Sequence, residues 1–555
     1  MRIGVDPTSR ESLDLTVDRV RRLPVLLLVT FRPEFHHAWS GQPHVTLLSL
    51  NRLGERDGAA LVERLAANPA SPARSSRSYG SPTFASDFCT AYAVSDPSTT
   101  AGSGHISFFL TIPGFNTEGG NRVNRPAQIL AAMFQGGGNI PLLMPVMAAL
   151  VARGHHLRIL AGPGVRPSRL PISESFTRRM AASGAEVVPF GEPDRHPYDC
   201  LQPPRGLIGG WVPKQFQTIT GEARGLAWAS AWAENATAEL RRVPADILVS
   251  DYVLLGALAA AEAAGVPSVA LMHAVAERPL PGVPPYGPGW QPGLGPSGKL
   301  RDAIGHFVLN RLYRRDGLSL LNDARVAHGL VPLRSGFEQY DRAARVLMLV
   351  SSSFDFPARR LPVNMQHVGT PIDDSETPEW LSPWSSSKAR RPLVLVSLST
   401  LEQGQASLLH RILLALGQLE VHGLVTLGPA LDPAQFAAPP NVLLERFVPH
   451  SAVLPQADVL VTQCGIGTLT KGLIHGVPLV CAPLRADQPD NAARVVARDA
   501  GIKISKDAPA EQISAAIQRV LSDQRFRTAA RRLGAAMARD GDAVENAVQA
   551  IERVL

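Results

Sequence analysis

Short apolar runs alternate with longer amphipathic stretches along most of the chain after residue 126. Runs such as Ala127–Phe134 and Ser268–Met272 have the length and composition of buried strands. Between such runs lie stretches such as Leu254–Ala264, which has the length of a helix and is followed by Gly265. Strands that alternate with helices of about 10–15 residues predict βαβ units and a parallel sheet.

The alternation occurs twice, on either side of a Pro-, Ser- and Trp-rich stretch over residues 371–391. In the first half it predicts elements at Ala127–Phe134, Pro141–Arg153, Leu157–Ala161, Phe176–Ser183, Glu186–Phe190, Asp246–Ser250, Leu254–Ala264 and Ser268–Met272. In the second half it predicts them at Leu393–Leu398, Leu408–Leu419, Gly423–Leu427, Val442–Leu444, Val459–Thr462, Thr468–His475 and Leu479–Ala482. A last helix is predicted from four apolar residues at helical spacing, Val544, Val548, Ile551 and Leu555. The pattern favours an α/β protein with two successive domains, over residues 126–385 and 386–555.

The composition is that of an ordinary globular protein. The 555 residues exceed what one compact core usually holds, which predicts two or three domains. A hydrophobic content of 45% and a charged content of 19% are typical of soluble proteins. The net charge of +7 is small for this length, and no Lys/Arg cluster is interleaved with aromatic residues. The sequence therefore argues against nucleic-acid binding.

The spacing of the cysteines and the first residues of the chain indicate the cellular compartment of the protein. No C-x-x-C pair occurs among the four cysteines, Cys89, Cys200, Cys464 and Cys481, which argues against a disulfide framework and favours a reducing compartment. Acidic residues, among them Asp6, Glu11 and Asp14, precede the first apolar run, unlike in a signal peptide. That run is far shorter than the roughly 20 residues a membrane helix needs. We expect a cytoplasmic protein without a transmembrane segment.

The first 125 residues differ from the rest of the chain in composition and in hydrophobic pattern. Residues 1–70 carry two strand-like runs and an amphipathic stretch, and their segments 27–35 and 50–54 resemble the tail of ATPase modules fused to bacterial adenylate cyclases. No G-x-x-x-x-G-K-[ST] motif occurs, so we expect a remnant without ATPase activity. Residues 71–125 are rich in Ser, Gly, Pro and Thr, which predicts a disordered linker.

The sequence from Val459 to Thr468 has the form of an anion site. A predicted strand runs into a turn with Gly465 and Gly467 and then into a helix, whose free N–H groups and dipole favour a negative ligand. Further on, Asp487 and Gln488 follow another strand, and a carboxylate beside an amide suits sugar hydroxyls. A turn without a ligand and a polar loop that caps the next helix are the structural alternatives.

Residues 441–501 resemble the donor-binding signature of family 1 glycosyltransferases, most of all the bacterial macrolide- and erythromycin-type enzymes. The resemblance rests on Arg446-Phe-Val-Pro-His450, Gly465-x-Gly467-Thr468, Gly476-Val-Pro478 and Asp487-Gln488-Pro-x-Asn491. It extends over about residues 126–555 and implies a GT-B fold, in which two Rossmann-like domains with parallel sheets face a cleft. It also implies a final helix that crosses back to the first domain.

The resemblance implies roles for individual residues of the second domain. Val448 and Pro449 are expected beside the nucleobase, and Asp487 and Gln488 on the donor sugar. The diphosphate is expected at Gln463, Gly465, Gly467 and Thr468, with Ser399 and Thr400 as further phosphate contacts or, alternatively, as a helix amino-cap. Gln463 departs from the family, which usually has His there; a neutral amide donates a weaker hydrogen bond than a charged imidazole.

The first domain is expected to supply the acceptor pocket and the base that deprotonates the acceptor hydroxyl. The family's usual His is replaced by Asn139, which cannot accept a proton at neutral pH. Asp251 matches the family's supporting Asp and is the candidate catalytic carboxylate, with a helix amino-cap as the alternative. His273, at the end of a predicted strand, is a second candidate for the base or else a structural residue.

The acceptor pocket is expected to include Gly138, Tyr286 and Trp290, whose rings offer flat apolar faces. The single Asp-x-Asp, Asp540-Gly-Asp542, precedes the last helix instead of ending a strand, so no metal or other cofactor is expected.

The sequence thus predicts a bacterial, metal-independent, inverting glycosyltransferase for natural products. Its donor would be a UDP- or dTDP-sugar and its acceptor a hydroxyl of a hydrophobic small molecule. Asn139 and Gln463 motivate one alternative, a catalytically impaired GT-B protein that acts as a binding or partner module. A nucleotide-sugar epimerase of the same fold is a second alternative.

Overall fold

The computed structural model of the protein describes residues 125–555 apart from 164–173, several positions between 204 and 224, 373–379, 385–390 and 400–402, together with the short strands Ala93–Val94 and Ser107–Phe108. The chain divides into two compact units, Met1–Asn124 and Arg125–Leu555. In the first unit the two short strands pair antiparallel. The predicted ATPase remnant over residues 1–70 lies outside the described residues, as does nearly all of the predicted linker.

The first half of the second unit is built on a parallel sheet of seven strands. They are β1 (Gln128–Phe134), β2 (His156–Gly162), β3 (Glu186–Pro189), β4 (Ile247–Asp251), β5 (Ser268–Met272), β6 (Arg345–Met348) and β7 (Met365–His367). Their order in the sheet is β3-β2-β1-β4-β5-β6-β7. The order reverses between β1 and β4, and ligands of such sheets bind in the crevice at the carboxyl ends of the strands beside that reversal.

Helices cover this sheet: α1 (Ile140–Ala152), α2 (Glu174–Ala182), α3 (Ala229–Arg242), α4 (Leu255–Ala264), α5 (Gly295–Asp316), α6 (Leu318–Ala327) and α7 (Glu338–Arg342). Close packing explains the small residues of α4. A Cβ on Gly256 would lie 2.0 Å from the Ala229 carbonyl oxygen, so glycine allows α3 and α4 to touch. The eight elements predicted in this half are confirmed within a few residues, whereas α3, α5–α7, β6 and β7 were not predicted.

The second half repeats the architecture with six parallel strands. They are β8 (Leu393–Ser397), β9 (His422–Thr426), β10 (Val442–Glu445), β11 (Val459–Thr462), β12 (Leu479–Cys481) and β13 (Gly501–Lys503), in the order β10-β9-β8-β11-β12-β13. The helices are α8 (Ala406–Gly417), α9 (His450–Val453), α10 (Ile466–Ile474), α11 (Gln488–Ala497), α12 (Ala510–Ser522) and α13 (Gln524–Ala538). The order reverses between β8 and β11, which makes this a second Rossmann-like domain.

The last helix, α14 (Ala543–Glu552), crosses back to the first domain as expected. Its Val548 and Ile551 are fully buried, and Arg153, directly after α1, pairs with two of its glutamates. Leu555 was predicted on the buried face, but it lies beyond the end of the helix and is 43% exposed. None of the helices that the structure describes is long and apolar enough to cross a membrane.

Candidate active site

Helix α1, which follows β1, and helix α10, which follows β11, face one another. Both β1 and β11 border the point at which the strand order of their sheet reverses. The amino-terminal turn of α10 in the second domain lies against α1 of the first, because a Cβ on Gly467 would be 3.7 Å from Cδ2 of Leu142. The residues predicted to bind the diphosphate therefore lie opposite the segment that carries Asn139. This contact locates the cleft between the domains.

Three side chains predicted to be catalytic meet on the first domain's side of the cleft. Asn139 is 3% exposed, and its Nδ2 donates to Oδ2 of Asp251 at 3.0 Å. Nε2 of His273 lies 3.2 Å from the same carboxylate oxygen, at ion-pair distance without the alignment of a hydrogen bond. Asp251 is not the cap of α4, because the helix begins at Leu255 and Oδ1 of Asp251 accepts from the Val253 amide instead.

The surroundings of His273 tune its basicity. Burial lowers the pKa of the imidazole, but the Asp251 carboxylate, together with smaller effects that include Asp487, acts in the opposite direction, and the net pKa is raised. Asp487 belongs to the second domain, so both domains act on this ring. The side chain of His273 keeps 17% exposure although its Nε2 is buried, so another part of the ring is accessible.

Another ionisable group, Glu277, lies beside this cluster and was missed by sequence reasoning. Glu277 is 5% exposed and accepts hydrogen bonds from the hydroxyls of Tyr252, at 2.8 Å, and Tyr313, at 2.9 Å. Burial raises its pKa, and the tyrosine hydrogen bonds offset only part of that effect. The Tyr252 ring stands edge-on to His273 with centroids 5.0 Å apart. The one available signal was an acid within the apolar run that follows His273.

The turn between β11 and α10 holds Gln463 in a fixed orientation. Its Oε1 accepts from the Thr462 hydroxyl at 3.1 Å, and the side chain is 7% exposed. Cys464 has a φ of 70°, a conformation that costs energy for a non-glycine residue and concentrates at functional sites. No side chain caps the amino terminus of α10, so its first-turn N–H groups, including those of Gly467 and Thr468, are not taken by a cap.

Asn491 links the turn at Cys464 to the predicted sugar-binding residue Asp487. The residue belongs to the motif that carries the family resemblance, but it was not assigned a role. Its Nδ2 donates to the Cys464 carbonyl at 3.0 Å and to Oδ2 of Asp487 at 2.7 Å. Gln488 is turned inward: its Oε1 accepts from the amides of Leu484 and Arg485, and its Nε2 donates to Gln403. The structure therefore gives Gln488 a loop-holding role, whereas its predicted contact with the sugar stays a prediction.

The other predicted donor residues lie at the same edge of the second sheet. Val448 is 5% exposed, and Pro449 precedes α9. Burial, with a contribution from Lys471, lowers the pKa of the adjacent His450 to about 4, so its imidazole is neutral at physiological pH. Ser399 is buried and does not cap α8, which begins at Ala406. Thr400 lies outside the described residues.

The predicted acceptor residues are placed differently from one another. Gly138 is exposed, and a Cβ there would meet nothing within 4 Å. Tyr286 keeps only 4% exposure, so its ring is packed inside the domain. Trp290 is half-buried, with its ring edge-on to Phe216 and the Arg301 guanidinium 4.8 Å from its centroid.

The segment of the first domain that carries the predicted acceptor residue Trp290, called the acceptor segment below, is hydrogen-bonded to the second domain. Asp490, on α11, accepts from the amide of Gly287 at 2.7 Å and from that of Gly289 at 3.0 Å, and it is 2% exposed. Burial raises the pKa of this carboxyl to about 7, although Arg494 and the two amides act in the opposite direction. Helix α11, which begins at the predicted sugar-binding residue Gln488, thus also holds the loop that carries Trp290.

No group of His, Cys, Asp and Glu side chains among the described residues is arranged to hold a metal ion. The Asp-x-Asp pair has a structural use instead, because Oδ1 of Asp542 accepts from the amides of Val544 and Glu545 and caps α14.

Two Rossmann-like domains with facing switch points, a final helix that crosses back and an uncapped helix terminus in the cleft define a GT-B glycosyltransferase. Residues 410–552 match the family model described as "Erythromycin biosynthesis protein CIII-like, C-terminal domain". The chain is 30% identical over 444 residues to 4'-demethylrebeccamycin synthase from Lentzea aerocolonigenes, covering 77% of this chain and 99% of that protein. The chain belongs to the family 1 glycosyltransferases of the macrolide type and is an enzyme of that class.

Solved structures agree with the fold. The glycosyltransferase of kitacinnamycin superposes with a TM-score of 0.57 at 23% identity, covering 78% of this chain and 99% of that one. The calicheamicin glycosyltransferase CalG4 gives a TM-score of 0.57 at 22% identity, covering 78% and 98%. The GT-B fold expected from the sequence is confirmed.

Proposed function

We propose that the protein transfers a sugar from a UDP- or dTDP-sugar to a hydroxyl of a hydrophobic small molecule, with inversion and without a metal. The observation that carries this proposal is the cluster of Asn139, Asp251 and His273, which faces the donor-side Asp487. Direct displacement requires a base, here held by a carboxylate of the first domain. It also requires a site for the leaving diphosphate, here on the second domain.

His273 is the proposed base, because Asn139 cannot take up a proton. The acceptor hydroxyl gives its proton to Nδ1 of His273, the ring nitrogen turned away from Asp251, while its oxygen bonds to the anomeric carbon. The bond from that carbon to the diphosphate oxygen breaks, and the electron pair leaves with the nucleoside diphosphate. Asp251 stabilises the imidazolium that forms, and Asn139 positions Asp251.

Negative charge develops on the diphosphate as this bond breaks. The first-turn N–H groups of α10 and the hydroxyl of Thr468 are the donors proposed to meet it, because charge-assisted hydrogen bonds at a helix amino terminus are strong. Gln463 would add a neutral amide donor. Val448 and Pro449 are proposed to contact the nucleobase beside the neutral His450.

The relative from Lentzea aerocolonigenes motivates the choice of acceptor, a hydrophobic natural product, and its bacterial source motivates the proposed bacterial setting. Nucleotide sugars are made in the cytoplasm, so we place the reaction there.

A donor and acceptor panel tests the proposal. Purified protein is incubated with UDP- and dTDP-sugars and hydrophobic polyketide or aromatic aglycones, with and without EDTA, and products are followed by mass spectrometry. Transfer that EDTA does not reduce is the expected result. Nucleoside diphosphate released without an acceptor would instead indicate an epimerase, and nucleotide binding without any turnover would indicate a binding module.

A further inference from the structure

The outer face of α5, made by Leu300, Ile304, Phe307, Arg311 and Arg314, is exposed. Spacings of four, three, four and three residues place these side chains on one side of the helix. Leu300 is 62% exposed, Ile304 55% and Phe307 68%. Single exposed apolar residues are ordinary, but a contiguous apolar row usually marks an interaction site.

The opposite face of α5 is covered by the first domain. Leu309 and Leu312 are fully buried, and Gly305 lies so close to Pro285 and Trp290 that a Cβ would be 2.4 Å and 2.9 Å from their side chains. The helix is therefore apolar on two sides, and the described residues cover only one of them. A helix that is apolar on both sides is usually buried on both.

The charged residues of α5 are also divided between its two faces, with basic residues on the outer face and acidic residues facing the protein. Arg311 and Arg314 continue the apolar row on the outer face, and Lys299 is exposed beside it. The two acids of the helix are turned into the protein, where Asp302 accepts from the Gly293 amide and Asp316 from the Arg205 amide. The exposed face is thus apolar in its first turns and positively charged in its later turns.

We propose that the outer face of α5 docks on the surface of an anionic phospholipid membrane. An apolar row flanked by arginine and lysine, without exposed acids, matches the acyl boundary and the phosphate headgroups of such a surface. α5 also packs on the segment that carries Trp290, so docking would bring the acceptor side next to the bilayer. This last consequence rests on the proposed function, whereas the docking itself does not.

Vesicle binding by the full chain tests the proposal. Sedimentation with phosphatidylcholine vesicles is compared with vesicles that also contain phosphatidylglycerol, at low and high salt. We expect binding that requires the anionic lipid and weakens with salt. Arg311→Ser and Arg314→Ser should each reduce the partition coefficient about fivefold, the usual contribution of one basic residue near an anionic surface. Phe307→Glu should reduce it at least tenfold.

Leu414→Glu is the matched control, because Leu414 is an equally exposed apolar residue, at 62%, on α8 of the other domain. It should leave vesicle binding unchanged. Absence of binding by the wild-type chain would overturn the proposal, as would an equal loss in Phe307→Glu and Leu414→Glu. Light scattering that showed self-association abolished by Phe307→Glu would assign the face to a second copy and also overturn it. Transfer to a water-soluble acceptor, measured without lipid, keeps this outcome separate from the proposed function.

Discussion

At the scale of single residues, the Asp251 carboxylate lies beside His273 and acts against burial to raise the pKa of its imidazole. Removing its charge in Asp251→Asn leaves burial as the main influence, and burial lowers the pKa of His273. The acidic limb of the kcat/KM profile should then move to lower pH, because the base stays neutral further into the acid range. The rate should fall by about 10²–10⁴ because the imidazolium loses its partner.

A pH–rate series on the wild type and Asp251→Asn measures both effects. Asp432→Asn is the control, because that exposed carboxylate only caps a short turn far along the chain. A profile that keeps its acidic limb in Asp251→Asn would separate Asp251 from the titrating base.

The absence of a side chain at Gly465 leaves room for the Gln463 amide, which is proposed to donate to a donor phosphate. A Cβ at this position would lie 3.3 Å from Nε2 of Gln463, tighter than ordinary contact. We expect Gly465→Ala to raise the donor KM about tenfold, roughly 1.4 kcal/mol, with a smaller change in kcat. Gly336→Ala is the control, since its Cβ would meet only Leu226 at 3.9 Å. Steady-state kinetics with unchanged KM in Gly465→Ala would contradict the assigned contact.

The residues of the candidate site were predictable where a motif marks them, and not where only the fold brings them together. The family resemblance singled out Asn139 and Asp251, and its place at the end of a predicted strand singled out His273. The structure brings the three together because carboxyl ends of parallel strands meet at one edge of the sheet. Glu277 escaped because its partners Tyr252 and Tyr313 come from other elements, and nothing in the local sequence marks that convergence.

At the scale of elements, α11 connects donor and acceptor segments through Asp490. Asp490→Ala removes the acceptor of two buried amides, of Gly287 and Gly289, at a cost of about 1–3 kcal/mol each. The acceptor KM should rise more than the donor KM. A variant with equal changes in both would show that the acceptor loop does not depend on this contact.

The same carboxyl predicts a pH dependence of stability. Its folded pKa, about 7, lies above the ordinary value of 3.8, so the folded state binds the proton more tightly. Stability from this group is therefore greatest in acid and is lost as the pH rises from about 4 to 7. Asp490→Asn should flatten that part of a plot of unfolding free energy against pH, and an unchanged slope would contradict the assignment.

Elements with one clear period were predictable from the sequence, and α5 was not. The strands and helices that were predicted in both domains are short and end at glycine or polar residues, so their limits were predicted within a few positions. α5 is apolar on both sides, which hides the helical period, and its apolar residues face the core and the surface alike. β6 and β7 are short strands that the sequence does not distinguish from loop.

At the scale of the whole molecule, we expect all residues that take part in catalysis to lie within residues 125–555. The division of the chain after Asn124, and the relative that covers only 77% of this chain with 99% of its own length, motivate a deletion of residues 1–124. We expect the shortened chain to keep its kcat and both KM values. A large loss of activity with intact circular dichroism would give the first unit a role in catalysis.

His273 is proposed to take the proton from the acceptor hydroxyl in place of the usual base. Single-turnover transfer by His273→Gln, together with nucleotide affinity from calorimetry, tests this most directly. We predict an unchanged dissociation constant for the nucleoside diphosphate and a transfer rate at least 100-fold below that of the wild type. A variant that binds nucleotide and transfers sugar at the wild-type rate would contradict it.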